Sequence, residues 1–386
     1  MLGRDALERS SRTIALPGIG IDGQSRLAAA RVLVIGAGGL GSPVLHYLAA
    51  AGVGAIGIVD FDTVDLSNLQ RQVIHRTASV GDLKTASAAR SIGELNPLVA
   101  VETHDVRLTR ENALELVRDY DLVIDGSDNF ATRYLANDAA AIARVPYVWG
   151  SVYRFDGQVT VFWEGAPDGL SIDYRDLHPT PPDPGLVLSC DEAGVLGAVC
   201  GTIGSMMAVE AIKLITGTGD VLLGRVQIFD ALEARWRELG VRRHPDREPV
   251  TELIDYDAFC GVRAAGAGPT IEAGALRSAM RDAGTVTLVD VREPYEHDLA
   301  SIAGDSLVPL GSLVDDPSLI GDPSLTDGWP VVVYCQTGVR SGRAVEVLRA
   351  AGVEAVSLRG GIRAWLESDP VESDPVESEP VTVARA

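Results

Sequence analysis

Two groups of residues in this chain have the types and spacing of reaction centres. One is Cys335-Gln336-Thr337-Gly338-Val339-Arg340-Ser341, directly after the apolar run Val331–Tyr334. Small residues and glycine let such a loop curl, so that backbone N–H groups point at the cysteine sulfur. Arg340 and the N-terminus of a following helix add positive potential. Both effects lower a thiol pKa and stabilise a persulfide anion. The other group is the turn Gly36-Ala37-Gly38-Gly39-Leu40-Gly41 with Asp60, Arg71, Lys84 and Asp128 on later loops. A glycine turn opening a helix receives phosphates on its amides, and an acid ending the next strand receives ribose hydroxyls. Two cations and a carboxylate able to hold Mg²⁺ are what triphosphate chemistry demands, for charge neutralisation and for a leaving pyrophosphate. A hydride-transfer enzyme would need a hydride partner, and the sequence offers no obvious one.

The elements that must position these groups are legible. Arg31–Ile35 and Ile56–Val59 read as buried strands around the glycine turn, with a helix opening at Ser42-Pro43. A helix to Leu95 closes at Asn96-Pro97, and strands are expected at 99–103, 121–125 and 145–149. That alternation predicts an α/β fold, a Rossmann-like doubly wound sheet, which binds ligands at the carboxyl ends of its strands. Gly157–Trp163 alternates like an antiparallel strand, 202–215 is helical, and 225–230 is a strand. The segment Asp176–Gly185, with four prolines, is an extended crossing that delivers Cys190. Residues 261–269 have linker composition, and Val286–Val289 with Val331–Tyr334 predict a second, smaller α/β domain. The expected division is 1–250, a linker over 251–269, a domain over 270–368 and a disordered acidic tail over 369–386.

The first region resembles the MoeB/ThiF branch of the E1-like enzymes over residues 9–240, on the glycine turn, Asp60-Phe61-Asp62, Ser67-Asn68-Leu69-Gln70-Arg71-Gln72, Lys84 and Asp128-Asn129. The resemblance implies ATP-dependent adenylation of the C-terminal glycine of a ubiquitin-like sulfur carrier. Gly36, Gly38, Gly39, Gly41, Asp60, Ser67, Asn68, Leu69, Gln70, Arg71, Lys84, Asp128 and Asn129 would bind the nucleotide, with Asp128 on Mg²⁺. Arg12 would reach into a neighbouring subunit's site, which implies a homodimer, and Cys190 would be a sulfur-transfer nucleophile. The family's zinc pairs fall on Ser171/Tyr174 and Arg247/Val250, which are poor ligands, so no zinc is expected. The second region resembles the rhodanese domains, on the Cys335 loop, Asp290-Val291-Arg292-Glu293 and Gly360-Gly361-Ile362-Arg363-Ala364-Trp365. Related phosphatases place five residues between cysteine and arginine; the four here give a narrower cradle that favours sulfur.

The fusion implies carrier adenylation followed by sulfur transfer from a Cys335 persulfide, charged by a persulfide donor, onto a MoaD- or CysO-like carrier for molybdopterin or cysteine biosynthesis. Two other readings stand beside it: an NAD-dependent oxidoreductase with an appended rhodanese domain, and a non-catalytic carrier-docking scaffold. The net charge of −21 in 386 residues argues against a nucleic-acid partner. No membrane span or signal-peptide core is evident, and four widely spaced cysteines suit a reducing cytoplasm.

Overall fold

The computed structural model describes residues 2–182, 194–260, 268–282, 286–320 and 329–368. Cys190, most of the 261–269 linker and the 369–386 tail lie outside them. The chain forms two units, Met1–Cys260 and Gly261–Ala386.

The first unit is built on an eight-stranded sheet of order β3-β2-β1-β4-β5-β6-β7-β8. Its strands are β1 (Arg31–Ile35), β2 (Ala55–Val59), β3 (Ala100–His104), β4 (Leu122–Asp125), β5 (Tyr147–Tyr153), β6 (Asp156–Phe162), β7 (Arg225–Asp230) and β8 (Arg235–Gly240). Pairing is parallel from β3 to β5 and antiparallel beyond. Side chains of a strand alternate between faces, and β1 shows the result. Val32 and Val34 enter one core, while Leu33 and Ile35 enter the other. Both faces are covered, so the strand reads as an unbroken apolar run. The helices Gly41–Ala51 and Gly197–Thr216 close the first face, and Phe130–Ala143 closes the second. Gly197–Thr216 is long and apolar enough to cross a membrane by composition. Its Val199, Ile203, Met207 and Ala211 instead fill the first core.

The strand order reverses between β1 and β4, which places the crevice of a doubly wound sheet at their carboxyl ends. β8 was not expected from the sequence. Arg-Trp-Arg-Glu-Leu-Gly is exposed at every position, so no buried face imprints alternation on it.

Residues 251–260 depart from the linker reading. Tyr256 and Cys260 are buried in the second core, and the Tyr256 hydroxyl donates to Asp138 Oδ2 at 2.7 Å. A nearby seam is held by charge. Arg247, 7% exposed at its side chain, pairs with Glu164 at 2.7 Å, with Asp176 at 2.9 Å and with Asp173, and Arg243 pairs with Glu164 at 2.8 Å. Burial opposes ionisation of Glu164, yet Arg243 and Arg247 hold its carboxyl below the usual range. Of the positions matched to the family's zinc pairs, Arg247 makes these ion pairs and the Ser171 hydroxyl donates to the Glu164 carbonyl at 2.7 Å. Arg247→Met would leave buried carboxylates uncompensated. We expect a loss of about 3 kcal/mol or more and a melting point lower by roughly 6–12 °C, read by thermal denaturation.

The second unit is a parallel sheet of order β11-β10-β12-β13-β9, with β9 (Thr270–Ile271), β10 (Leu288–Asp290), β11 (Ser306–Leu307), β12 (Val331–Tyr334) and β13 (Ala355–Leu358). β10 starts two residues later than Val286. The helix Val339–Ala350 follows β12 after the short loop 335–338 and packs on the core through Ala344, Val345 and Leu348.

Candidate active sites

The crevice above β1 and β4 is lined by Gly36, Gly38, Gly39, Asp60, Arg71, Lys84, Asp128 and Asn129, which the sequence singled out on scattered segments. The turn after β1 requires glycine at both ends. Gly36 has φ +90°, and a Cβ on Gly41 would stand 1.9 Å from the Gly36 carbonyl oxygen. Asp60, at the end of β2, accepts from the Ala37 and Asp62 amides, both at 2.9 Å. Burial raises its pKa, against the pull of Lys84. Lys84 opens the helix Lys84–Leu95 and pairs with Asp62 at 2.9 Å, its side chain 9% exposed. Asn129 caps the helix Phe130–Ala143, accepting from the Thr132 amide at 2.9 Å. Asp128, just before it, is exposed and makes no hydrogen bond or ion pair among the described residues. Its two oxygens are therefore available to a hard cation.

Other expected residues serve differently. Gly41 packs beneath the turn without lining the crevice. Ser67, Asn68, Leu69 and Gln70 also lie outside its lining. They form a short turn capped by Asp65, and the Asn68 carbonyl accepts from the Arg71 and Gln72 amides, so they aim Arg71. Arg12, on the helix Ser11–Ile14, is exposed and does not line its own chain's crevice. Cys200 is 1% exposed beneath Gly39, where any Cβ would meet its sulfur at 3.0 Å. Burial pushes the Cys260 thiol up to about 11, so it is no nucleophile.

Sequence reasoning passed over His75, three residues beyond the quoted motif. Its ring is buried between the Ala37 carbonyl and the Ser87 hydroxyl, each at 2.9 Å. A carbonyl only accepts, so Nε2 carries the proton and Nδ1 accepts from Ser87. The ring therefore braces the glycine turn against the helix that carries Lys84. Burial pushes His75 down to about 4, below the ordinary 6.5. The unfolded chain takes up this proton between those pH values and the native fold does not. The associated stability is complete above 6.5 and is lost as pH falls toward 4. We expect the melting point to fall between pH 7 and 5, and to fall less in His75→Gln.

In the second unit Cys335 directly follows β12 and sits at the base of its loop, 1% exposed. Its sulfur accepts from the Gly338 amide at 3.1 Å and lies 3.6 Å from the Ser341 hydroxyl. The flanking motifs support this loop. Ile362 N–H donates to the Cys335 carbonyl at 2.8 Å, and Arg292, paired with Asp290, reaches Gln336 Oε1 at 3.4 Å. Arg340 departs from the expected part. Its guanidinium is held by both oxygens of Glu296 at 2.7 Å, so the loop's positive potential comes chiefly from its amides and the helix N-terminus. Glu296→Gln should uncover that charge beside the loop, and alkylation of Cys335 by iodoacetamide at pH 7 should then run faster than in wild type. Asp290, His297 and Asp305 cluster as possible metal ligands, but Arg292 pairs with Asp290 and the Tyr334 hydroxyl donates to Asp305.

The first unit is a doubly wound sheet with a glycine turn, an acid and two cations at its switch point, and the second is a parallel sheet presenting a cradled cysteine. The ThiF family model matches residues 10–250 and the rhodanese-like domain model residues 272–368. The chain belongs to the ThiF family, in the subgroup that carries a rhodanese domain; it is an ATP-using adenylyltransferase joined to a sulfurtransferase. It is 54% identical over 370 residues, 94% of each chain, to the probable adenylyltransferase/sulfurtransferase MoeZ of Mycobacterium tuberculosis. The sulfur carrier protein adenylyltransferase of Thermus thermophilus is 52% identical over 267 residues, 67% of this chain and 98% of that one. Among solved structures, PaaA superposes with TM-score 0.54 at 25% identity, covering 63% of this chain and 76% of that one. E. coli MccB with ATP has the same fold, with TM-score 0.53 at 21% identity over 62% and 74% of the two chains.

Proposed function

We propose that the protein adenylates the C-terminal glycine of a ubiquitin-like sulfur carrier, of MoaD or CysO type, and converts it to a thiocarboxylate with sulfur from Cys335. The observation that carries this reading is the convergence of Asp60, Arg71, Lys84 and Asp128 around one glycine turn. Asp60 receives the ribose and the turn amides receive phosphate. A carboxylate oxygen of the carrier bonds to the α-phosphorus as the bond to the β-phosphate bridge breaks and pyrophosphate leaves. Arg71 and Lys84 offset the charge that develops there. Asp128 would hold magnesium, which when bound supplies further charge neutralisation to the phosphates. The activated acyl carbon is then open to a sulfur nucleophile, which a free carboxylate is not.

A persulfide donor loads Cys335. Its outer sulfur attacks the acyl carbon, the bond to AMP breaks, and an acyl disulfide results. A second thiol attacks the Cys335 sulfur, releasing the thiocarboxylate and leaving a disulfide that an external thiol reduces. Cys190 is our candidate for that second thiol. Arg12 completing a neighbouring crevice makes the working unit a homodimer, and the reduced thiols this chemistry needs place it in the cytoplasm.

The test is carrier-dependent ATP–pyrophosphate exchange with MoaD- and CysO-like carriers. Exchange with either supports the reading. Exchange with neither would leave the carrier-docking scaffold in its place.

A further inference from the structure

Arg133 has no part in the chemistry above, yet its side chain lines the same crevice while only 6% exposed. It projects from the helix Phe130–Ala143, and one terminal nitrogen donates to the Ser127 carbonyl at 3.2 Å. Its Nε has no hydrogen-bond partner, and the Ser127 hydroxyl beside it is also unpartnered. Among the described residues no carboxylate pairs with this guanidinium. Its other neighbours are aromatic: Phe130 at 5.4 Å and Trp149 at 5.7 Å from ring centre to guanidinium carbon. The buried carboxylate in the same cluster, Asp125, is taken by the Tyr147 hydroxyl and forms no ion pair with Arg133, so the guanidinium keeps donors for an anion that enters the crevice. The Arg133 charge is felt at His178, where burial first and Arg133 second push the imidazole down to about 4.

The sheet order indicates which anion. Asp60 and Asp62 stand at the end of β2, the glycine turn at β1, Asp128 after β4, and Trp149, under Arg133, on β5. A nucleotide with its ribose at Asp60 runs its phosphates across β1 toward β4. The Arg133 guanidinium, between the loop after β4 and Trp149 of β5, lies beyond the far end of that phosphate path, where a second, anionic substrate can meet the α-phosphate. Resting on the adenylation reading, we infer that Arg133 is the binding residue for the substrate's terminal carboxylate, holding it for attack on the α-phosphate. The guanidinium fork suits a carboxylate bidentately, and the aromatic wall excludes competing water.

The test titrates the full-length protein, without nucleotide, with a MoaD-like carrier ending in a free Gly-Gly carboxylate and with the same carrier ending in an amide. Wild type should prefer the carboxylate by about tenfold or more. Arg133→Met should erase the preference and raise the carrier KM in exchange by a similar factor, with the ATP KM unchanged. If that variant does not fold, Arg133→Lys decides, since it keeps the charge and loses the fork; its preference should be reduced. A wild type that binds both carriers alike while exchange runs normally would overturn the inference. So would variants that keep the preference while the ATP KM rises, which would assign Arg133 to a phosphate. Absence of exchange in wild type is a different failure, that of the adenylation reading itself.

Discussion

Cys335→Ala is expected to leave carrier-dependent ATP–pyrophosphate exchange within about twofold of wild type while thiocarboxylate formation falls below roughly a thousandth, because no other described thiol can replace the nucleophile. Cys200 is packed under Gly39, and Cys260 is buried with its thiol pushed up to about 11. Mass spectrometry of the carrier reads the sulfur step, and labelled pyrophosphate reads the activation step. Retention of thiocarboxylate would exclude Cys335 as the sulfur bearer. Loss of exchange as well would show that the two units do not act separately.

The converse variant is Asp128→Ala, whose exchange should fall by about two to three orders of magnitude. Asp128 is exposed, makes no hydrogen bond or ion pair among the described residues, and precedes the Asn129 cap without taking part in it. Its removal should leave the melting point nearly unchanged, so lost exchange reports chemistry and not folding. If Cys335 is loaded independently, the variant should still accept persulfide sulfur and discharge it to cyanide. Normal exchange in Asp128→Ala would remove it from the site.

The parts of the site that were legible from sequence are those imposed by local backbone. Gly36 and Gly41 are demanded by a turn only glycine can make, and β1 and β2 around them are continuous apolar runs. The Cys335 loop was legible for the same reason. What escaped depends on partners distant in sequence. Arg340 reads as a free cation until Glu296, 44 residues earlier, is seen to hold it. Arg133 looks like an ordinary helix surface residue until Trp149 and Ser127 bury it. His75 carries no local sign of its bond to the Ala37 carbonyl, 38 residues away. The segment 251–260 reads as linker because its apolar residues, Leu253, Ile254, Tyr256, Phe259 and Cys260, are too few to form a long periodic run, and they find their core on a helix that ended over a hundred residues before.

The seam joining residues 164–176 to Arg243 and Arg247 has a bearing on traffic in reactive sulfur. Sulfane sulfur migrates to any thiolate it meets, and thiolates that clasp structural metals are among its ready targets. A clasp of guanidinium and carboxylate offers no such acceptor, and neither oxidant nor chelator can undo it. With Cys200 packed under Gly39 and Cys260 buried in the second core, a persulfide meets few exposed thiols among the described residues.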